Sequence, residues 1–226
     1  MKKTLTYTLT FGLLALLSCR DDSLNPVPVF DPGVHALGVF ADVPEGKAGG
    51  SDKKNFTNYE KNFPLTGQEA AAAAVKFNIR WVTLDNKLTV NKIEIYVDML
   101  ESYTDPDGNP RTVSLGSGGK LIKTIDPSMG NRQWNSFSIA PVDIYNLYKD
   151  ATVKYDRVNA VNVFTNPATA RPTGRWFNRT DNFVMVWRLY TTDGQVFKTW
   201  NSDSVCGDPT PVSQANSNCS LTWSAR

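Results

Sequence analysis

Histidine is nearly missing from these 226 residues: His35 is the only one. Nucleophilic catalysis of the Ser-His-Asp or Cys-His kind would have to use it, and no Gly-x-Ser-x-Gly accompanies it. No His-Glu-x-x-His is present, and no glycine-rich phosphate loop follows a strand pattern. A convergent pair of carboxylates is the one catalytic device that spacing does not reveal. The chain is therefore expected not to be an enzyme. Charge of one sign is also scarce in excess. Twenty-four Lys and Arg against 22 Asp and Glu leave a net charge of +2. That balance gives no reason to expect a nucleic-acid or polyanion partner. There is no apolar run of the roughly 20 residues a spanning helix needs. Cysteine is limited to Cys19, Cys206 and Cys219. The last two lack further Cys or His partners at zinc spacing, so neither a metal nor a cofactor is expected.

What is present begins at the N-terminus. Lys2 and Lys3 precede an apolar run over residues 5–17, about the length of a signal-peptide core. Leu16-Leu17-Ser18-Cys19 closes it. This resembles a bacterial lipobox, the pattern after which a lipoprotein signal peptidase cuts before a lipidated cysteine. The resemblance implies that residues 1–18 are removed and that Cys19 carries the lipid. Cys206 and Cys219 are then an even pair in an oxidising compartment, and a disulfide between them is expected. It would close a Gly-, Pro-, Ser- and Asn-rich loop, worth about 3 kcal/mol by chain-entropy reasoning. Arg20-Asp21-Asp22 is similar to the surface-export signal of Bacteroidota lipoproteins, which implies an outer-membrane protein facing the cell exterior. Asp22-Ser23-Leu24 and Asp203-Ser204-Val205 resemble that phylum's O-glycosylation sequon.

Residues 19–33, with Pro26, Pro28, Pro32 and Gly33, read as an extended lipidated tether. Residues 34–226 read as one domain. Residues 34–41 suit an edge strand, and residues 44–64 suit a loop. The alanines at 70–74 suit a single helical turn. From Val75 the period becomes two: Val75, Phe77, Ile79 and Trp81 alternate with Lys76, Asn78 and Arg80. Residues 90–100 repeat the pattern, with Ile93, Ile95, Val97 and Met99 on one face. Asp105-Pro106-Asp107-Gly108-Asn109-Pro110 reads as a turn, since its oxygen spacing misses the EF-hand pattern. A strand is expected over 115–125 across the Gly116-Ser117-Gly118-Gly119 break, and another over 134–139. Pro141 opens a short helix through Lys149. Residues 150–181 read as irregular. A hairpin follows, residues 183–190 and 196–200 around Asp193-Gly194, and then a last strand at 219–223. Seven or eight antiparallel strands, one short helix and long loops make an all-β sandwich.

Binding residues are sought among aromatics outside the alternating strands. Trp81, Trp187 and Trp223 alternate with polar residues and are expected in the core. Trp134, Trp176, Phe177 and Tyr103 fall at strand ends or in loops. The segment Thr173-Gly174-Arg175-Trp176-Phe177-Asn178-Arg179 combines two aromatics, two arginines and an amide inside a connection of about 30 residues, far longer than usual. Arg175, Trp176, Phe177 and Trp134 are the expected ligand contacts.

The lipidated cysteine, the acidic start, the strand Lys92-Ile93-Glu94-Ile95-Tyr96-Val97 and the late Thr192-Asp193-Gly194-Gln195-Val196-Phe197 are together similar to SusE/SusF-like lipoproteins. Those accompany SusC/SusD-type outer-membrane importers. The resemblance implies immunoglobulin-like domains and a non-catalytic binding or accessory role in importing an oligosaccharide or peptide. The alternative is a structural or adhesion lipoprotein with no small ligand. Replacement of Cys19 by Ala should move the protein from the membrane to the soluble fraction; persistence in the membrane would refute lipidation at Cys19.

Overall fold

Strict alternation of apolar and polar side chains builds two sheets whose inner faces share one core. The computed structural model describes residues 37–44, 62–83, 86–198 and 220–226. Cys19, His35, the tether, Cys206 and Cys219 lie outside the described residues. Among those described, no helix is long and apolar enough to cross a membrane.

The first sheet is β1 (Leu37–Asp42), β2 (Val75–Thr83) and β6 (Asn135–Ile139), in the order β1-β2-β6 and wholly antiparallel. The expected edge strand near residue 37 is thus at an edge. A 3-10 turn over Ala71–Ala73 leads into β2, the single turn read from the alanines. The second sheet is built on β3 (Val90–Thr104) and β9 (Asn182–Thr191), paired antiparallel along ten positions. β4 (Pro110–Ser114) and β5 (Lys120–Ile125) lie one after the other along the free edge of β3. β10 (Val196–Lys198) and β11 (Leu221–Ser224) do the same along β9. The fold is an all-β sandwich. Eleven strands are described where seven or eight were expected: a separate strand, β4, precedes β5, and the connection after the helix adds a short two-stranded pair.

The Asp193-Gly194 turn is as read. Gly194 has φ +87, and its N–H and that of Thr191 close the hairpin onto Thr191 and Gln195. Two expectations change. Pro110 opens β4 and does not end the turn, a position where proline's missing N–H costs no ladder bond. The strand expected over 115–125 starts only at Lys120, because residues 115–119 form a glycine-rich offset between β4 and β5.

The inner faces carry Phe77, Ile79 and Trp81 from one sheet and Ile93, Ile95, Val97, Met99, Met185, Trp187 and Trp223 from the other, all buried. The Phe77 and Trp223 rings meet across the sheets at 5.0 Å between centroids. The three tryptophans expected in the core are there. A bulge in β3 between Val90 and Lys92 explains why Val90 and Ile93, three apart, both point inward.

Helix α1 (Pro141–Tyr148) packs on β3 and β5. Pro141 stands in its first turn, and the Asp143 carboxylate accepts the Ala140 N–H at 2.8 Å. At its far end the buried Tyr148 hydroxyl donates to the Val97 carbonyl at 2.6 Å. Gly116 passes so close that a Cβ there would lie 2.3 Å from this hydroxyl and 2.9 Å from Asp98 Oδ1. Asp98 in turn accepts from the Gly116 N–H and the Ser114 hydroxyl.

Gly116→Ala should therefore cost about 1–3 kcal/mol of stability, as overpacking does. Tyr148→Phe in the same chain should recover part of that loss, measured by denaturant unfolding. Equal stability of Gly116→Ala and the native chain would contradict the close approach.

Candidate functional site

The segment between α1 and β9 was expected to be irregular. It contains a two-residue pair, β7 (Thr152–Val153) with β8 (Val161–Asn162), and a 3-10 turn over Pro167–Thr169. The rest lacks regular structure, yet its backbone is held by side chains buried from solvent.

The strongest of these attachments is ionic. Glu101 lies on the same face of β3 as Ile93, Ile95, Val97 and Met99, so the pleat turns its carboxylate inward. It is 2% exposed, and Asp181 and Arg171 are 0% and 7% exposed. One Arg171 guanidinium nitrogen donates to Glu101 Oε2 at 2.7 Å and to Asp181 Oδ1 at 3.1 Å. The other donates to Asp181 Oδ2 at 2.6 Å and to the Trp176 carbonyl at 3.0 Å. Tyr155 donates to Glu101 Oε1 at 2.9 Å, its ring edge-on to Tyr103. Asp181 Oδ2 also accepts the Asn178 N–H at 2.6 Å.

Two carboxylates share one guanidinium, so the group carries a surplus negative charge in a place that disfavours charge. Burial, with Asp181 adding to it and Arg171 opposing it, pushes the Glu101 carboxyl up to about 7. Burial works against the Arg171 charge, and the two carboxylates outweigh it.

A second attachment is neutral. Gln68 is fully buried. Its side-chain amide donates to the Pro64 and Phe177 carbonyls at 2.8 and 3.0 Å and accepts the Phe177 N–H at 2.9 Å. Its own N–H donates to the Gly174 carbonyl at 3.1 Å. Gly174 has φ +77, and a Cβ on it would collide with the Glu69 carboxylate at 2.0 Å. Glycine is required there on both counts.

The expected contact residues separate. Trp176 is 6% exposed and stacks on Tyr145 at 4.6 Å between centroids. Phe177 is 1% exposed and meets Phe63, Phe164 and Phe183. Both rings are largely buried, and Phe177 also borders the recess described below: a large ring on a loop lying over an apolar core gains more by burial than by exposure. Arg175 is exposed and lines a cleft. Trp134, 37% exposed, stands apart on the outer face of the first sheet. The Arg80 guanidinium lies 4.4 Å from its ring and 5.1 Å from that of Phe40. Asp105, in the turn over residues 105–110, accepts from the N–H groups of Asp107 and Asn109 and from Arg111 and Arg157. Its oxygens tie the turn.

Two recesses flank the loop. One, about 460 Å³, is lined by Leu65, Pro172, Arg175, Phe177, Asn178 and Arg179, with Ala170. The other, about 260 Å³, lies over Glu101, Tyr103, Tyr155, Asn166 and Arg171 and shares Asn178 with the first. Sequence reading missed Glu101, Arg171, Asp181 and Gln68. One signal was available: a glutamate on the apolar face of an alternating strand demands a buried cation.

No family model and no curated protein matches the chain. Among solved structures it is similar to a DUF4466 family protein from Parabacteroides merdae, with a TM-score of 0.29 and 9% identity. The similarity covers 73% of this chain and 42% of that one, so the chain spans less than half that protein's length.

Arg171→Met leaves two buried carboxylates without their cation and should cost about 3–5 kcal/mol. An acid whose folded value lies above its ordinary value of 4.5 binds its proton more tightly in the folded chain. Stability should therefore grow as pH falls from about 7 toward 4.5 and be lost as pH rises through that window. Glu101→Gln should flatten this part of the profile in denaturant melts; an unchanged slope would contradict the assignment.

Proposed function

We propose that the chain is a non-catalytic binding or accessory subunit of an outer-membrane nutrient importer. It is held by lipid on Cys19, faces the cell exterior, and contacts its ligand or partner through the 172–179 loop. The N-terminal pattern and the resemblance to SusE/SusF-like lipoproteins with immunoglobulin-like domains support the setting. The observation that carries the reading is the contrast within the loop. Residues 174, 176, 177 and 178 are each fixed through the backbone by Gln68, Arg171 or Asp181. Arg175 and Arg179, on the same frame, are exposed with no side-chain partner among the described residues. Such fixing satisfies buried backbone groups in any loop, and a binding loop gains affinity from it as well because less ordering remains to be done on association.

The burial of Trp176 and Phe177 favours a second reading, a structural or adhesion lipoprotein with no small ligand, since it removes the aromatic platform from the loop. Purification of the full chain from cross-linked outer membranes separates the two. A SusC/SusD-like importer pair should be identified with it by mass spectrometry. Recovery of the chain without that pair would contradict the accessory role.

A further inference from the structure

The larger recess has a chemistry of its own. Its polar groups are the guanidinium groups of Arg175 and Arg179 and the side-chain amide of Asn178. None of the three has a hydrogen-bond or ion-pair partner among the described residues. No carboxylate lines the recess. Glu69, whose carboxylate packs over Gly174, forms no ion pair with either arginine. The remaining wall is apolar, from Leu65, Pro172 and the edge of Phe177. The other cations near the loop are differently occupied: Arg171 is enclosed by Asp181 and Glu101, and Arg157 is joined to Asp105 and Asp107. The chain neutralises its neighbouring arginines and leaves these two open at a cleft of about 460 Å³.

We propose that this cleft binds a carboxylate group of the ligand. Arginine presents planar, paired N–H donors that match a carboxylate in two parallel hydrogen bonds, and such charge-assisted bonds are the stronger kind. Asn178 adds an amide that can donate to the same group or accept from a neighbouring hydroxyl or N–H. The apolar wall takes the uncharged body of the ligand. The backbone that carries all three residues is fixed at positions 174, 176, 177 and 178, so the donors are aimed before the ligand arrives. The inference rests on the reading of this loop as the contact region. The carboxylate has two possible sources in that setting, a uronic-acid residue of an oligosaccharide or the C-terminus of a peptide.

The test is calorimetric titration of the full-length protein with two matched pairs: trigalacturonate and its methyl ester, and trialanine and its C-terminal amide. One acid should bind, and its neutral partner should bind at least about tenfold more weakly, the loss expected when a charge-assisted hydrogen bond is removed. Which acid binds identifies the source. The double variant Arg175→Gln and Arg179→Gln should weaken the acid to the level of its neutral partner while its unfolding temperature stays that of the native chain. Neutral forms binding as well as the acids would overturn the carboxylate assignment. So would an acid whose affinity the double variant leaves intact, or the failure of both acids to bind. Neutral binding that is lost in Asn178→Ala would overturn only that assignment and leave the loop as the contact region. Absence of an importer pair from the purified protein would be a failure of the wider reading, whatever the titrations give.

Discussion

A carboxylate forced inward by the pleat of a strand sets the terms for the longest connection of this domain that the structure describes. Glu101 follows Val97 and Met99 on the buried face of β3, and a lone charge there is strongly unfavourable. Arg171 relieves it, and Asp181 completes the group. Arg171 and Asp181 stand at either end of the 172–180 loop, so compensation of one buried charge fixes the course of about ten residues. Replacing such a group with apolar side chains often costs nothing in stability. Its value here lies in specifying one path for a long connection that has almost no regular structure of its own. Gln68 acts in the same sense from the other side of the chain, using a neutral amide to satisfy backbone groups that burial would otherwise orphan.

The aromatic residues of the loop follow from that fixing. With the Trp176 carbonyl held by Arg171 and the Phe177 N–H and carbonyl held by Gln68, both rings are directed into the core. There they continue a chain of ring contacts that runs from Tyr145 through Phe164, Phe177 and Phe183 to Trp223 and Phe77. The loop surface that remains is basic and polar. Any ligand meeting a surface of that kind would be selected for charge more than for a flat apolar face, with an encounter rate that depends on ionic strength.

Much of the scaffold was legible from the residues. Period-two alternation located β2, β3 and β9 and their inner faces, Asp193-Gly194 located the hairpin, and Pro141 located the helix. These are local signals, each contained in a few consecutive positions. The interrupted edges were less legible: a proline that reads as a turn also suits the first residue of an edge strand, and the glycine offset at 115–119 resembles the interior of one strand. The site was least legible because its attachments are long-range. Arg171 reaches a partner 70 positions away, and Gln68 reaches one 109 positions away. Arg175 stood out because the long connection gathers two aromatics, two arginines and an amide within residues 173–179. The burial of Trp176 and Phe177 was not legible, because sequence shows that a loop carries large rings but not which way its backbone turns them.

Attachments through Gln68, Arg171 and Asp181 require the 172–180 loop to be as rigid as the sheets. Native-state amide hydrogen exchange measures this directly at Phe177, whose N–H is held by Gln68, and at Asn178, whose N–H is held by Asp181. Both amides should exchange as slowly as those of β3 and β9, opening only with global unfolding. Exchange at the rate of exposed loop amides, with the sheets still protected, would contradict it.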